Sequence, residues 1–369
     1  MKKWIALVTA LTVLLCGCGN SEPETTAPSL APETTAPVET TEAPVETTEV
    51  PAETTVPPTE APPVDVNPLT GEELEEVRDN RVIAVMINNH AAALPQCGIG
   101  SADILYEILA EGSTTRLMAL FTDVSDVGPI GPVRSLRPYY LNIMRGYGAL
   151  CTSAGGSSEA DGMVYNLGYN RVNGIAGIGS GYFYRDSWRS SNKGYEHSLF
   201  ITGPKLLEAA AAEGYSTVET EGREYGLTFT EEAFTAGEDI NKIVVHFYAN
   251  GKTTTLGYKE DLGGYLAFQQ QSYLVDGNTD EKLLFENVLV LKTSSAVIDG
   301  KGHLRVETTG EGKGWYARDG KLIEITWARD NEESTFTYTD AEGNPISFGV
   351  GKSYITFIPS DSPVDFLNE

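Results

Sequence analysis

Histidine and cysteine are scarce. His90, His197, His246 and His303 are scattered along the chain, and Cys16, Cys18, Cys97 and Cys151 form no CxxC pair. That excludes a disulfide-dense scaffold and a zinc ribbon. No metal and no cofactor is expected, and His246, inside the apolar segment KIVVHFY, reads as structural. The chain also lacks a GxxxxGK[ST] phosphate loop, a GxGxxG turn, an HExxH helix and a GxSxG elbow. Positive charge is short as well: 26 Lys and Arg face 52 Asp and Glu, a net charge of −26 over 369 residues. Such a molecule repels anionic polymers as a whole, so no nucleic acid is expected as a partner.

Long apolar runs are missing except at the start, where Lys2 and Lys3 precede Trp4 to Leu15. The run is shorter than the roughly 20 residues a spanning helix needs, and its basic entry marks a secretory signal. Leu15-Cys16-Gly17-Cys18 resembles a lipobox. Lipidation falls on Cys18, because choosing Cys16 would put bulky Leu15 at a cleavage site that needs a small residue. The expectation is a signal peptide over 1–17 and a mature chain held at the outer face of the cell membrane by acyl lipid such as palmitate on Cys18. Residues 18–66 then read as a stalk. From Gly19 to Val66 there are ten of the 19 prolines, ten acidic residues and no Lys or Arg, with Glu-Thr-Thr recurring at Glu24, Glu33, Glu39, Glu46 and Glu53. Such composition cannot repay its ordering entropy. At ~3.1 Å per residue in polyproline geometry, its reach is on the order of 150 Å. Its threonines are candidate glycosylation sites.

Globular patterning begins at Asn67. VIAVMI (82–87) reads as a buried strand, and DILYEILA (103–110) with TRLMALF (115–121) as a hairpin, the first member being open to a helical reading. Ser135 to Tyr147, Ser157 to Leu167 and Pro204 to Glu213 read as helices, and Ala149 to Ser153 as a strand. There is no regular βαβ alternation. After Tyr225 short alternating segments follow one another: KIVVHFY, YLAFQQQSYLV, NVLVLKT, HLRVETT, KLIEITWAR, STFTYT and SYITFIP. Asp299-Gly300, Asp319-Gly320 and Glu342-Gly343-Asn344 supply turns between them. The expected fold class is α+β: a mixed N-terminal domain over 67–225, then a mostly antiparallel β C-terminal domain over 226–369, the boundary lying near 215–240.

One stretch reverses the background charge. From Val127 to Arg185, Arg134, Arg137, Arg145, Arg171 and Arg185 meet only Glu159 and Asp161, a local net charge of +3. It opens with GPIGPVRSLRPYY (128–140). Arg134 and Arg137 stand one helical turn apart, so a helix starting there places both guanidiniums on one face near its N-terminus, a setting suited to phosphate or carboxylate. The alternative is internal pairing with Glu107, Glu111 or Asp123. Beyond it lie ten glycines between Gly146 and Tyr184, with Tyr147, Tyr165, Tyr169, Tyr182, Phe183 and Tyr184 and the amides Asn166, Asn170 and Asn173. This fits either a glycan cleft or a long surface loop packed by its own rings. Arg185, Asp186 and His197 form a further polar group. A Ser153-His197-Asp186 triad can be composed, as in any serine-rich chain. Cys97 and Cys151 are either a disulfide or two buried thiols.

The segments INNHAAALPQCGIGSADILYEILAEGSTTRLMALF, VGPIGPVRSLRPYY, YFYRDSWRSSNKGYEHSLF, NVLVLKT, GEGKGWYARDGKLIEITWAR and GVGKSYITFIP resemble, in order, the YerB-like bacterial lipoproteins. The likeness covers roughly residues 67–360, and GPVRSLRPYY is its most specific run. It implies two consecutive domains of unknown function, an α+β one and a β-rich one, a lipoprotein address and no known reaction. It makes Glu107, Glu111, Arg116, Arg134, Arg137, Arg185 and His197 the candidate ligand-binding residues. The chain departs from the family pattern at Cys97, where serine is more usual, and at Ser198, where asparagine follows the histidine.

Two functions follow as expectations. One is a non-enzymatic envelope protein binding an anionic or glycan wall polymer, or a membrane protein partner, through the arginine island. The other is a phosphotransferase or hydrolase acting on phosphate-linked wall precursors, with Asp103, Glu107 and Arg116 as its groups. Its motif order is similar to that of the LytR-CpsA-Psr ligases, and its chemistry needs carboxylates, usually with a divalent metal, and arginines facing phosphate.

Overall fold

The computed structural model describes residues 65–76, 79–219, 222–247 and 251–368. The signal segment, Cys18 and all but the last two positions of the stalk lie outside them.

Strands β1 (Ile83–Asn88), β2 (Ile104–Leu109) and β3 (Thr115–Phe121) are buried along their whole length. Burial on both faces explains why they read as continuous apolar runs rather than alternating ones. It also decides 103–110 for strand: β2 and β3 pair antiparallel around a turn at Glu111–Ser113, where Gly112 takes φ 67°, a conformation that favours glycine. Helix α1 (Pro138–Gly146) leads to β4 (Leu150–Ser153), and α2 (Ser158–Leu167), capped by the Ser157 hydroxyl, leads to β5 (Arg171–Asn173). β1, β4 and β5 are parallel, so β4-α2-β5 is one βαβ step. Helices α3 (Ser187–Asn192) and α4 (Gly203–Ala212) close this region.

The remainder is strand-rich and chiefly antiparallel. Its elements are β6 (Glu238–Asp239), β7 (Lys242–His246), β8 (Thr253–Lys259), β9 (Gly264–Gln269), β10 (Asn287–Thr293), β11 (Ser295–Val297), β12 (Leu304–Val306), β13 (Gly310–Arg318), β14 (Lys321–Arg329), β15 (Ser353–Pro359) and β16 (Val364–Leu367). Asp319 and Gly320, at φ 52° and 70°, make the two-residue turn joining β13 to β14, as the Asp-Gly pair predicts. YLAFQQQSYLV departs from its reading as one segment. The chain reverses at Gln270 and Gln271, both at positive φ, and returns to pair Phe268 with Tyr273.

Both regions build one eleven-stranded sheet, in the order β6-β14-β13-β10-β15-β2-β3-β1-β4-β5, with Thr337–Thr339 also on β14. β15, from near the end of the chain, lies between β2 and β10 and is parallel to both. All of it except Pro359 is buried. A second sheet orders β9-β8-β7-β16.

At the centre of this junction sits Glu107, on β2 opposite Thr356 of β15 and 0% exposed. Its Oε1 accepts from Asn89 Nδ2 at 2.9 Å and from the Thr115 hydroxyl, with Lys252 Nζ at 3.5 Å. Its Oε2 accepts from the Thr254 hydroxyl at 2.7 Å and from the Tyr354 hydroxyl. Asn89 and Gln269 bond each other reciprocally, at 2.9 Å both ways, and Lys252 donates to Gln269 Oε1. The turn at Gln270-Gln271 delivers Gln269, and Gln270 donates to the Asn89 carbonyl. Burial pulls the Lys252 ammonium down from its ordinary pKa against the pull of Glu107. A carboxylate taken fully out of water costs several kcal/mol unless its oxygens are satisfied, and here donors from both regions satisfy them. Glu107→Ala should therefore destabilise the protein by about 3–5 kcal/mol, read as a lowered urea midpoint. A midpoint like that of the parent chain would show that the network does not join the regions.

Candidate functional site

Of the seven candidates, Glu107 belongs to the interior and offers nothing to a ligand. Glu111, Arg116 and Arg137 form a second closed group. The Glu111 carboxylate, on the β2–β3 turn, pairs with Arg116 Nη2 at 3.0 Å and with Arg137 Nε. Arg116 also donates to the Ser135 carbonyl and Arg137 to the Leu136 carbonyl at 2.7 Å. His303, on the β11–β12 hairpin, reaches Glu111 at 3.8 Å. Burial would raise the Glu111 carboxyl, but the Arg137 hydrogen bond and the two guanidinium charges outweigh it and hold the pKa below the ordinary value. Burial and the neighbouring Arg137 bring Arg116 down to about 10.

The expectation that Arg134 and Arg137 share a helix face is corrected by the backbone. α1 begins at Pro138, and Arg137 is its N-cap residue in extended conformation. Proline suits the first helical position and disfavours helix in the residue before it. Arg134 lies outside the helix, bonded to β1 through its backbone N–H and the Met86 carbonyl. The rest of the island is largely neutralised: Arg145 pairs with Glu332 and Glu333, and Arg171 with Asp161.

What the structure does bring together is Arg134, Arg185 and His197, around the loop Gly194 to Ser198. Arg185 stacks on the Tyr195 ring at 3.5 Å and donates to the Tyr195 carbonyl at 2.7 Å. Arg134 is half-buried and faces Glu196 electrostatically; burial lowers its pKa first, against that attraction. His197 is buried, with its ring stacked on His90 at 5.0 Å between centroids. Asn88 Oδ1 accepts from the His90 N–H at 3.0 Å, so Asn88 Nδ2 is the group that meets His197 Nδ1 at 2.8 Å. Nδ1 is thus an acceptor and the proton sits on Nε2, 3.6 Å from Glu196. Burial chiefly, helped by His90, Arg134 and Lys193, pushes the His197 pKa down against Glu196, so this imidazole is neutral at pH 7.

Two cations and three rings that the candidate set omits complete this face. Arg189 donates to the Ala93 and Pro95 carbonyls at 2.8 and 2.6 Å, and Lys193 to the Leu94 carbonyl. Arg134, Arg185, Arg189 and Lys193 form no ion pair with a carboxylate among the described residues. Beside them Tyr184, Trp188 and Tyr195 are exposed by 43%, 61% and 63%. The cations Arg185, Arg189 and Lys193 stand in one short segment with Tyr184 and Trp188, but only Trp188 and Arg189 lie in α3, Tyr184 and Arg185 pairing as strand with Phe200 and Leu199.

Ser153, His197 and Asp186 do not assemble as a triad. Asp186 caps α3 by accepting from the Arg189 N–H at 2.7 Å, Ser153 is 0% exposed, and Asn88 occupies His197 Nδ1. Asp103 accepts from Asn67 and Thr122, and burial raises its carboxyl. Asp103, Glu107 and Arg116 are therefore all interior groups. Cys97 and Cys151 are unpaired thiols; burial raises both, Cys151 to about 12. His246, read as structural, is partly exposed and meets Asp365 of β16 at 2.8 Å.

With Glu111 below its ordinary pKa, its stabilising contribution is complete above about pH 4.5 and disappears as pH falls through the lowered folded value. Glu111→Gln should cost about 2 kcal/mol at pH 7 and flatten the acid side of a stability profile measured by urea unfolding between pH 3 and 7. An unchanged profile would remove the ion group from the account of acid stability.

Residues 69–216 match the model of the N-terminal domain, and residues 243–355 that of the C-terminal domain, of the proteins of unknown function DUF3048. The chain is 28% identical over 296 residues to the Bacillus subtilis (strain 168) protein named "Putative lipoprotein YerB", covering 79% of this chain and 86% of that protein. The crystal structure of the YerB protein from Bacillus subtilis superposes with a TM-score of 0.71 at 25% identity, over 81% of this chain and 99% of that one.

Proposed function

Because the chain belongs to the YerB-like family, with both DUF3048 domains in order, we propose that it is a lipid-anchored, extracytoplasmic binding protein. Its ligand is an anionic glycan polymer of the cell envelope, held on the face carrying Arg134, Arg185, Arg189, Lys193 and the rings of Tyr184, Trp188 and Tyr195. The observation that supports this reading is the set Arg185, Arg189 and Lys193, which meet backbone carbonyls and rings beside exposed aromatics, whereas Arg116, Arg137, Arg145 and Arg171 of the same region are paired with carboxylates. Guanidinium and ammonium groups neutralise phosphate or carboxylate, and sugar faces stack on flat rings. His197 adds a neutral Nε2–H donor at the same loop.

The address rests on Cys18. Among the described residues no helix is long and apolar enough to cross a membrane, and the lipobox-like run with the named relative supports a lipid at the N-terminus. Cys18→Ala should release the protein from the membrane fraction into the medium and abolish labelling by radioactive palmitate; retention with the label would place the anchor elsewhere.

Glucosylated poly(glycerol phosphate), which carries both phosphate and sugar rings, coupled to beads tests the face itself. Arg185→Ala with Lys193→Ala should weaken retention by at least ~tenfold, about 1.4 kcal/mol, with a shallower salt dependence and a melting curve close to the parent's. Glu111→Gln, made at a closed group, should leave retention unchanged. Equal retention by the double variant would sink the assignment of this face.

A further inference from the structure

A sizeable cleft lies far along the chain from that face, in the C-terminal region, and nothing above uses it. It has a volume of about 840 Å³, within the range of about 300–1,000 Å³ typical of ligand sites. Its lining carries two half-buried apolar patches: the Trp315 and Phe366 rings, 5.2 Å apart, and, with Tyr316 on the other face of the β13–β14 pair, Phe234 and Ile323. Trp315 comes from β13, Ile323 from β14 and Phe366 from β16, so the cleft opens between the two sheets. Glu232, Glu238, Glu324 and Glu342 stand exposed around it, and none of them forms an ion pair with another described residue.

Its one basic lining residue, Arg318, is not available to a ligand. Arg318 is buried, donates to the Glu232 carbonyl at 2.6 Å and the Thr230 carbonyl at 3.2 Å, and pairs with Asp319 at 3.3 Å. The cleft thus combines apolar patches with exposed carboxylates and offers a ligand no free cation of its own. Trp315 and Glu324 are directly opposite in the β13–β14 ladder, and residues opposite on a strand pair share a face with Cβ atoms about 5 Å apart. An indole beside a carboxylate receives an ammonium or guanidinium by ring attraction and charge together. Lys292, outside the cleft, already lies over the Trp315 ring at 5.4 Å, so the ring holds a cation within the chain itself.

We propose that this cleft binds a basic polypeptide segment of a protein partner, seating an aliphatic or aromatic side chain on the Trp315–Phe366 patch while flanking Lys or Arg side chains meet Glu238, Glu324 and Glu342. The site is independent of the polymer-binding face. Together they make the chain an adaptor with a cationic surface at one place and an acidic, apolar receptacle at another.

Fluorescence anisotropy with the full chain and a labelled Lys-Lys-Leu-Phe-Lys-Lys peptide tests this. Saturable binding is expected, weaker by at least ~tenfold for Lys-Lys-Ser-Gly-Lys-Lys and undetectable for Glu-Glu-Leu-Phe-Glu-Glu. Combining Glu238→Gln, Glu324→Gln and Glu342→Gln should reduce affinity for the first peptide by at least ~tenfold. The charge-matched control Glu260→Gln, Asp261→Asn and Glu281→Gln, at exposed positions outside the cleft, should not. Absence of binding overturns the proposal. Equal binding of the Ser-Gly peptide, or equal losses in both triple variants, also overturns it by reducing the effect to the net charge of the chain.

Discussion

The architecture turns on a carboxylate that has no water. Glu107 reaches zero exposure only because β15, from near the C-terminus, is laid beside β2, and because Thr254, Lys252 and Gln269 arrive from β8, its approach and β9. Until those segments close over it, Glu107 lacks most of its interior donors and must stay solvated. Once they close, each donor is itself buried and depends on the carboxylate in return. Half-satisfied, such a network costs more than an apolar core of the same volume; fully satisfied, it specifies one arrangement. The two regions that read as consecutive domains are thus coupled by a shared sheet and by a shared charge.

A similar logic sorts the cations. Arginine near carboxylate-bearing turns is consumed where burial makes an unpaired charge expensive: Arg116 and Arg137 at Glu111, Arg171 at Asp161, Arg145 at Glu332 and Glu333. Around the loop at 194–198 Arg185, Arg189 and Lys193 instead meet backbone carbonyls or rings, while Arg134 faces Glu196. Carbonyls orient a guanidinium without cancelling its charge, so the field of this face projects outward. The cleft at Trp315 is left negative because its one arginine, Arg318, is buried and paired with Asp319.

Much of the local structure was legible. The runs at 82–87, 115–121 and 353–359 announce strands, Ser157 announces a helix start and Asp319-Gly320 a hairpin, whereas 103–110 is open to a helical reading as well and the first helix starts at Pro138 rather than Ser135. What local pattern could not supply was a reversal made by Gln270-Gln271, since glutamine carries no turn signal and takes positive φ only because the strands on either side demand it. Nor could spacing reveal that Pro138 would end the apparent helical relation of Arg134 to Arg137. Of the candidate residues, three gather at one loop, three close upon each other and one is entombed. Those fates depend on partners such as Asn88, Ser135, Tyr195 and Tyr354, some close in the chain and others more than a hundred residues away.

The sequence by itself determined the class of the fold, the order of its mixed and strand-rich regions, the acidic character of the body and the lipobox-like address. These follow from composition and short-range periodicity, which each segment carries alone. Only the tertiary structure decided which charges are free. Whether a guanidinium is neutralised, stacked or exposed depends on which distant oxygen or ring the sheet order brings within a few ångströms, and electrostatic energy changes steeply over that distance and with the loss of water.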